Sequence, residues 1–366
     1  MAFADYSRSD RIAELLDLHF YRPAMAKGRV DPVEMRQIKI QPPDGPLDFS
    51  PEKHNAGRQT DKVPILVINA TALNTGHNWR FEASTMGEAP RGEPVSLDVD
   101  KATRLKRPKS YDQVTAKQRD IWVGHAVAAS SGVPGIFPPL ALSELYDQDV
   151  RVQLVDGGVH DNQGIRALRD YKCDLFIVSD ASGQMQDLPA PWTNAVSTVL
   201  RAGEISMDRV REEGVFGVLT RPYYANSTTA FLHLRKGLAV DEVSLLGVDG
   251  KAAKPPEELR APTWEPELPG AYWRSGITRC ETFGVAAAVQ DRLSRIRTDL
   301  DSFSDVEAQS LMLDGYLMSE FSLRGASEIS RLIVRGAVPP APAWGFLRIK
   351  PWMSQPTEDY LRQLHV

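Results

Sequence analysis

Three residues near the middle of the chain have the types and spacing to do chemistry. They are Asp156, Gly157 and Gly158, in the stretch Arg151-Val-Gln-Leu-Val-Asp-Gly-Gly-Val-His-Asp-Asn-Gln-Gly164. Gln153, Leu154 and Val155 read as the end of a strand running into Asp156. The two glycines let the backbone turn sharply and approach another group with no Cβ in the way. An acid at the carboxyl end of a strand, ahead of such a turn, is where open α/β sheets hold catalytic or ligand-binding groups. An aspartate of ordinary pKa is a weak base, so it takes a hydroxyl proton only when held within hydrogen-bond reach. A plain strand-to-loop aspartate that caps nearby N–H groups has the same letters. The triplet alone leaves both readings open.

The neighbouring polar residues add little certainty. His160 lies four residues after Asp156 in the same loop and is placed to line a cleft, although a polar loop histidine needs no catalytic role. His125 would complete a Ser-His-Asp set only on the same footing. A metal site fails, because Asp161 is adjacent to His160 and Asp156 has no spaced partner. Ala128-Ala-Ser130-Ser-Gly132 matches an Ala-x-Ser-x-Gly variant of a nucleophile elbow. An elbow needs a strand before the serine and a helix after it. Here a helical pattern leads into Ser130, and Pro134 and Pro138 interrupt the residues beyond it. Ser130 therefore reads as a serine ending a helix beside the Asp156 loop, with a replacement nucleophile as the alternative. Asp180 reads as a second sheet-edge carboxylate in a structural role, and Asn69 and Asn74 as strand-edge and turn braces.

Composition sets the outer bounds. The 366 residues carry 43 basic and 48 acidic side chains, a balance of 43 − 48 = −5, without long same-sign blocks. No basic field suggests nucleic acid. Arg104 to Lys109 reads as a solvated loop rather than an anionic-lipid contact. Cys173 and Cys280 are far apart and lack metal-ligand spacing, so no disulfide framework is expected and a reducing compartment fits. No metal or other cofactor is expected. No apolar run reaches the length of a membrane span, and the first twenty residues hold too many acids for a secretory signal. The expectation is a cytoplasmic or peripherally membrane-associated protein.

The elements that must position Asp156 emerge from periodicity. Residues 5–27 have a helical pattern that Pro23 should end, and residues 28–61 are a Pro- and Gly-rich loop long enough to hold a lid or flap. Val63 to Ala70 is a buried-strand candidate, Asn74-Thr-Gly76 its turn, and His77 to Ala83 its hairpin partner. Val114 to Ser131 is helical and stops at Gly132 and Pro134. Strands at 151–155 and 175–179 flank a helix at 165–171, the strand–helix–strand order of α/β proteins, which puts Asp180 at the sheet edge of Asp156. Residues 190–216 form an amphipathic helix with Val196, Val199, Leu200, Ile205, Met207 and Val210 assigned to one face. Strands are expected at 215–219, 231–234 and 346–349, a loop at 241–270, and helices at 283–296 and 306–321. The last begins in a capping box of Ser304 and Glu307. The domain reading is an N-terminal helix and loop over 1–62, an α/β body over 63–338 and an extension over 339–366.

Three segments resemble patatin-like phospholipases. Leu154-Val-Asp-Gly-Gly-Val-His-Asp-Asn-Gln-Gly164 is similar to that family's Asp-Gly-Gly/Ala segment. Ala126-Val-Ala-Ala-Ser-Ser-Gly-Val-Pro-Gly-Ile-Phe-Pro-Pro139 is similar to the Ala- and Ser-rich stretch that precedes it. Ile65-Leu-Val-Ile-Asn-Ala-Thr-Ala-Leu-Asn-Thr-Gly76 resembles its Asn-Ala-Thr strand and turn. The likeness is clearest over about 60–185 and extends weakly to Arg295–Ser304, as in large bacterial members. It implies an α/β fold with a mixed or parallel sheet flanked by helices. It also implies a Ser–Asp dyad acting on phospholipid or acylglycerol esters, with Asp156 as base, Gly157 and Gly158 fixing the loop, and Asn162 ordering it. The family's Gly-x-Ser-x-Gly elbow and Gly-rich oxyanion loop precede its Asn-Ala-Thr strand, and neither motif occurs here. The resemblance thus implies the C-terminal part of such a hydrolase, without its nucleophile-bearing part, from a truncated or misplaced start at Met1. A non-catalytic lipid- or partner-binding protein of the same fold is the first alternative, and a hydrolase using Ser130 the second. An incomplete sheet of this kind implies a complementing chain or self-association.

Overall fold

The computed structural model describes residues 6–55, 58, 61–89, 108–146, 150–173, 175–182, 188, 191–219, 228–235, 238, 245–246, 252–253, 283–296, 302–325 and 344–364. The chain divides into two compact units, one of Met1–Cys173 with Ile205–Gly217 and one of Asp174–Glu204 with Val218–Val366.

The first unit is built on a six-stranded sheet of order β4-β3-β2-β1-β6-β5. Its strands are β1 (Ile68–Ala72), β2 (Asn78–Phe81), β3 (Thr85–Glu88), β4 (Lys109–Ser110), β5 (Leu140–Leu142) and β6 (Val152–Asp156). Every neighbouring pair is antiparallel. The protein is thus mixed α/β as expected, but this sheet is not parallel. β6 has β1 on one edge and β5 on the other, so both edges are filled. The strand at 175–180 lies in a separate sheet, and Asp180 does not share a sheet edge with Asp156.

Side-chain chemistry explains the two faces. Directly opposed residues share a face. The pairs Ala70–Trp79, Phe81–Met86 and Leu140–Leu154 put apolar groups on one side. There they pack with Ala126 and Ala129 of helix α2 (Val123–Ser130) in one buried cluster. The small residues of α2 let its axis come close. The other side is polar, with Thr71 opposite Asn78 and Asn69 opposite Arg80; Thr71, Asn78 and Arg80 are buried.

β1 starts later than expected. Residues 63–67 lie outside the ladder: Pro64 has no N–H to donate, and the Asn55 side chain takes both Val63 main-chain groups, at 2.8 and 3.0 Å. The turn after β1 is as read, with Gly76 at φ +72°. Asn74 braces it to β6 through Arg151 O and Gln153 N, both at 2.9 Å.

At the N-terminus, α1 (Arg8–Leu16) starts in a capping box of Ser7 and Asp10. A π-helical segment, Asp17–Tyr21, and a last turn, Arg22–Met25, continue it. Pro23 does not end the helix: it sits in the first turn of that last piece, where a missing N–H is tolerated. The loop after it is no free flap where it is described. Val33, Met35 and Phe49 are buried, and Met35 N and Val123 N bond to Ile121 O and Val33 O at 2.9 and 2.8 Å. Of the basic run at 104–109, residues 104–107 lie outside the described residues. Lys109 is not a solvated loop residue, since its ammonium bonds Leu145 O at 2.9 Å and sits 4.9 Å from the Tyr146 ring centre.

In the second unit β7 (Leu175–Asp180) pairs in parallel with β8 (Thr228–His233). A separate core joins Val289 and Leu293 of one helix, Ala287–Ser294, to Leu313 and Leu317 of another, Asp305–Gly325, and to Met353 and Tyr360. The capping box is present: Ser304 N reaches Glu307 Oε2 at 2.7 Å, and Glu307 N reaches Ser304 Oγ at 3.2 Å. Two expected strands are not strands. Residues 215–219 continue a helix that runs Ala195–Leu219, and Gly345–Ile349 is a 3₁₀ helix. There Phe346 stacks on Trp344 and meets Tyr316, with ring centres 6.1 and 5.8 Å apart. Most of 241–270, and Cys280 and 297–301, lie outside the described residues. Among the described residues no helix is long and apolar enough to cross a membrane.

Candidate active site

Asp156 is the last residue of β6, and its main chain is tied on both sides. Its N–H donates to Gly132 O at 3.0 Å, and its carbonyl accepts the Thr71 hydroxyl at 2.9 Å. The next N–H, of Gly157, donates to Ser130 O at 3.1 Å. The strand end is therefore stitched to the turn that closes α2. Asp156 Oδ1 accepts the Gly158 N–H at 2.6 Å. The carboxyl group is half-buried, and burial raises its pKa while the Gly158 bond pulls the other way.

The glycines serve space more than conformation. Gly157 has φ −63°, which any residue adopts. A Cβ there would stand 2.6 Å from Asn69 O, which is backbone and cannot move aside. A Cβ on Gly158 would stand 2.8 Å from Asn162 Oδ1 and 3.0 Å from Asp156 Oδ1. The left-handed position is Gly164, at φ +68°, just ahead of helix α3 (Ile165–Asp170). A Cβ on Gly164 would lie 3.4 Å from Asn69 Nδ2. Asn69 is thus the post around which residues 157–164 turn.

The loop is held by residues outside the Asp-Gly-Gly motif. The Asp161 carboxylate accepts the N–H groups of Ile165 and Arg166, at 3.1 and 2.8 Å, and so caps α3. Burial raises the Asp161 pKa, with Arg80 among the groups opposing the rise. Arg80 forms a buried ion pair with Asp170 at 2.5 Å. Tyr171 donates to Glu82 Oε1 at 2.6 Å, and burial raises the pKa of Glu82. An Asp four residues ahead of a helical run was the available signal for Asp161; nothing local marks Arg80 as its neighbour.

The remaining sequence candidates are dispersed. Ser130 ends α2, and its carbonyl rather than a strand-borne elbow meets the Asp156 loop. His160 is in the single helical turn Gly158–Asp161 and is half-buried. Asn162 caps that turn and is exposed, with its amide oxygen over Gly158. His125 lies near the start of α2, its ring centre 4.9 Å from that of Trp122. Burial lowers its pKa, against Asp10, Glu14 and Asp17. Asp180 is buried in the second unit, where Oδ1 accepts Ser182 N at 3.0 Å. Among the described residues no three His, Cys, Asp or Glu side chains are grouped to hold a metal. A groove of about 550 Å³ along Ile40, Pro42, Arg58 and Val63 does not include Asp156.

No protein-family model matches the chain, and no curated protein and no solved structure matches it.

Proposed function

We propose that this chain carries the carboxylate half of a Ser–Asp acyl hydrolase of patatin-like type, acting on phospholipid or acylglycerol esters. The observation behind the proposal is the state of Asp156. One carboxylate oxygen is fixed by Gly158 N–H at 2.6 Å; among the described residues the other has no hydrogen-bond partner. A half-buried carboxylate held by one oxygen is a better base than a solvated one, because burial raises its pKa.

In the proposed reaction a serine from outside these 366 residues gives its hydroxyl proton to Asp156 Oδ2 as Oγ attacks the ester carbonyl. The C–O bond to the alcohol then breaks, and the alcohol leaves with that proton. Water then attacks the acyl-serine with Asp156 accepting its proton, the C–O bond to Oγ breaks, and Asp156 returns the proton to Oγ as the acid leaves. Gly157 and Gly158 hold the carboxylate in place, and Asn69 and Asp161 hold the loop. His160 and Asn162 line it.

The test starts from the DNA ahead of the Met1 codon. An in-frame Gly-x-Ser-x-Gly supports the reading, and the extended protein should then hydrolyse p-nitrophenyl esters. In that protein Asp156→Asn should lower kcat by about 10³–10⁴-fold. An upstream frame without the motif, or an extended Asp156→Asn protein with undiminished turnover, overturns it.

A further inference from the structure

The peptide group between Asp156 and Gly157 is held at both ends. Its carbonyl accepts the Thr71 hydroxyl at 2.9 Å, and its N–H donates to Ser130 O at 3.1 Å. A peptide group is planar, so two anchors at opposite ends fix its orientation. This is the point where β6 stops, since Gly157 is already helical at φ −63° and ψ −29°. Those two angles alone carry the orientation of this plane to the next, which contains the Gly158 N–H. That N–H reaches back to Asp156 Oδ1 at 2.6 Å.

Three consecutive residues of β1 meet this turn. Asn69 O leaves no room for a Cβ on Gly157, Ala70 is opposite Asp156 in the ladder, and Thr71 supplies the hydroxyl. Thr71 is buried and stands opposite Val155. A valine has the same shape, suits a buried strand and has no hydroxyl to desolvate. The Thr71 hydroxyl is therefore a cost that its bond to Asp156 O offsets. Ser130 gives its carbonyl to the other anchor, so of the two anchors the one from Thr71 depends on a side chain.

We propose that Thr71 is a positioning residue for Asp156. Its hydroxyl, acting through the Asp156–Gly157 peptide, keeps the Gly158 N–H on Oδ1 and so leaves Oδ2 as the oxygen that takes a proton. The catalytic meaning of this arrangement rests on the hydrolase reading, whereas the positioning itself does not. Without the hydroxyl the peptide keeps one anchor, gains freedom to rotate, and loosens the Gly158 bond. Burial raises the Asp156 pKa and the Gly158 bond opposes the rise. Loosening that bond therefore moves the carboxyl group further up.

The experiment is an NMR titration of the full chain, with carbon-13 at the aspartate carboxyl groups and nitrogen-15 at glycine. Wild type, Thr71→Val and Thr71→Ser are compared, and Asp156→Asn identifies the Asp156 signal. In the wild type the Gly158 amide should titrate together with the Asp156 carboxyl carbon. In Thr71→Val the Asp156 midpoint should rise by about half a pH unit or more, and the Gly158 amide should follow it less. Thr71→Ser keeps a hydroxyl and should titrate like the wild type. Should the valine variant fail to fold, Thr71→Cys, whose thiol donates weakly, takes its place with a shift in the same direction. Unchanged Asp156 and Gly158 signals in the valine or cysteine variant overturn the proposal. So does a serine variant displaced as far as the valine one, because the effect would then not come from the hydroxyl. None of these signals needs a serine nucleophile or an ester, so they decide the positioning whether or not the hydrolase reading holds. Where that reading holds, Thr71→Val in the extended protein should lower kcat by about 10-fold with KM unchanged.

Discussion

Ala70 and Asp156 face each other across the β1–β6 ladder. Asp156 therefore leaves the strand on the side of the sheet that carries Ala70, Trp79 and Leu154, not on the side that carries Arg80. This register is why burial dominates the surroundings of the carboxylate. It also separates the Asp156 carboxylate from the polar frame that holds its loop.

The Asp156 carboxyl group should titrate above the usual aspartate range, and heteronuclear NMR of the side-chain carbon measures this directly. Because the folded protein binds the proton more tightly than the unfolded chain, ionisation of this group opposes folding as pH rises through its raised pKa. Asp156→Asn should leave stability at neutral pH unchanged or slightly higher, since the amide oxygen can still accept the Gly158 N–H.

Gly157→Ala should destabilise the first unit by about 1–3 kcal/mol, because the new methyl meets the Asn69 carbonyl, which is part of β1. Gly158→Ala should have the smaller effect on stability, since the nearest atom is the end of the Asn162 side chain. Urea denaturation of the two variants should rank them in that order.

Arg80→Ala should cost about 3–5 kcal/mol, as it leaves the mostly buried Asp170 without its cation. The double variant with Asp170→Asn should recover part of this loss. A double-mutant cycle by denaturant titration reads the coupling.

The second unit contains a pH-dependent joint. Gln290 Nε2 bonds Leu234 O at 2.8 Å and Asp314 Oδ2 at 3.1 Å, while Asp314 is fully buried. Burial pushes the Asp314 pKa up to about 6, from an ordinary 3.8. Folding therefore favours the protonated acid. Stability from this group is complete below the unfolded value and falls as pH rises from about 4 through about 6. The span is worth at most about 3 kcal/mol. Asp314→Asn should flatten that part of the stability–pH curve and raise stability at pH above it.

Much of the site was legible because it is local. The strand ending at Asp156, the turn at Asn74–Gly76, the helix ending at Ser130 and the capping box at Ser304 each depend on residues a few positions apart. The pairing of the strands was not. Residues 151–179 read as strand, helix and strand whether β7 joins β6 or pairs elsewhere, and only β1 and β5 on the two edges of β6 decide it. Phe346 to Ile349 reads as a strand because a short apolar run fits a strand as well as a helical turn, and its partners Trp344 and Tyr316 lie outside it. Asp161 capping the helix that starts at Ile165 is again local, whereas the placing of Asn69 against Gly157 and of Arg80 against Asp170 depends on contacts between segments that sequence spacing does not reveal.

The measurement that tests the central claim most directly is fluorophosphonate labelling of the 366-residue protein, read by intact mass. If Asp156 is a base whose serine lies outside this chain, no adduct should form and p-nitrophenyl esters should not turn over. A stoichiometric adduct mapped to Ser130, or to any other serine of the chain, would contradict the account and make this a hydrolase with a nucleophile of its own.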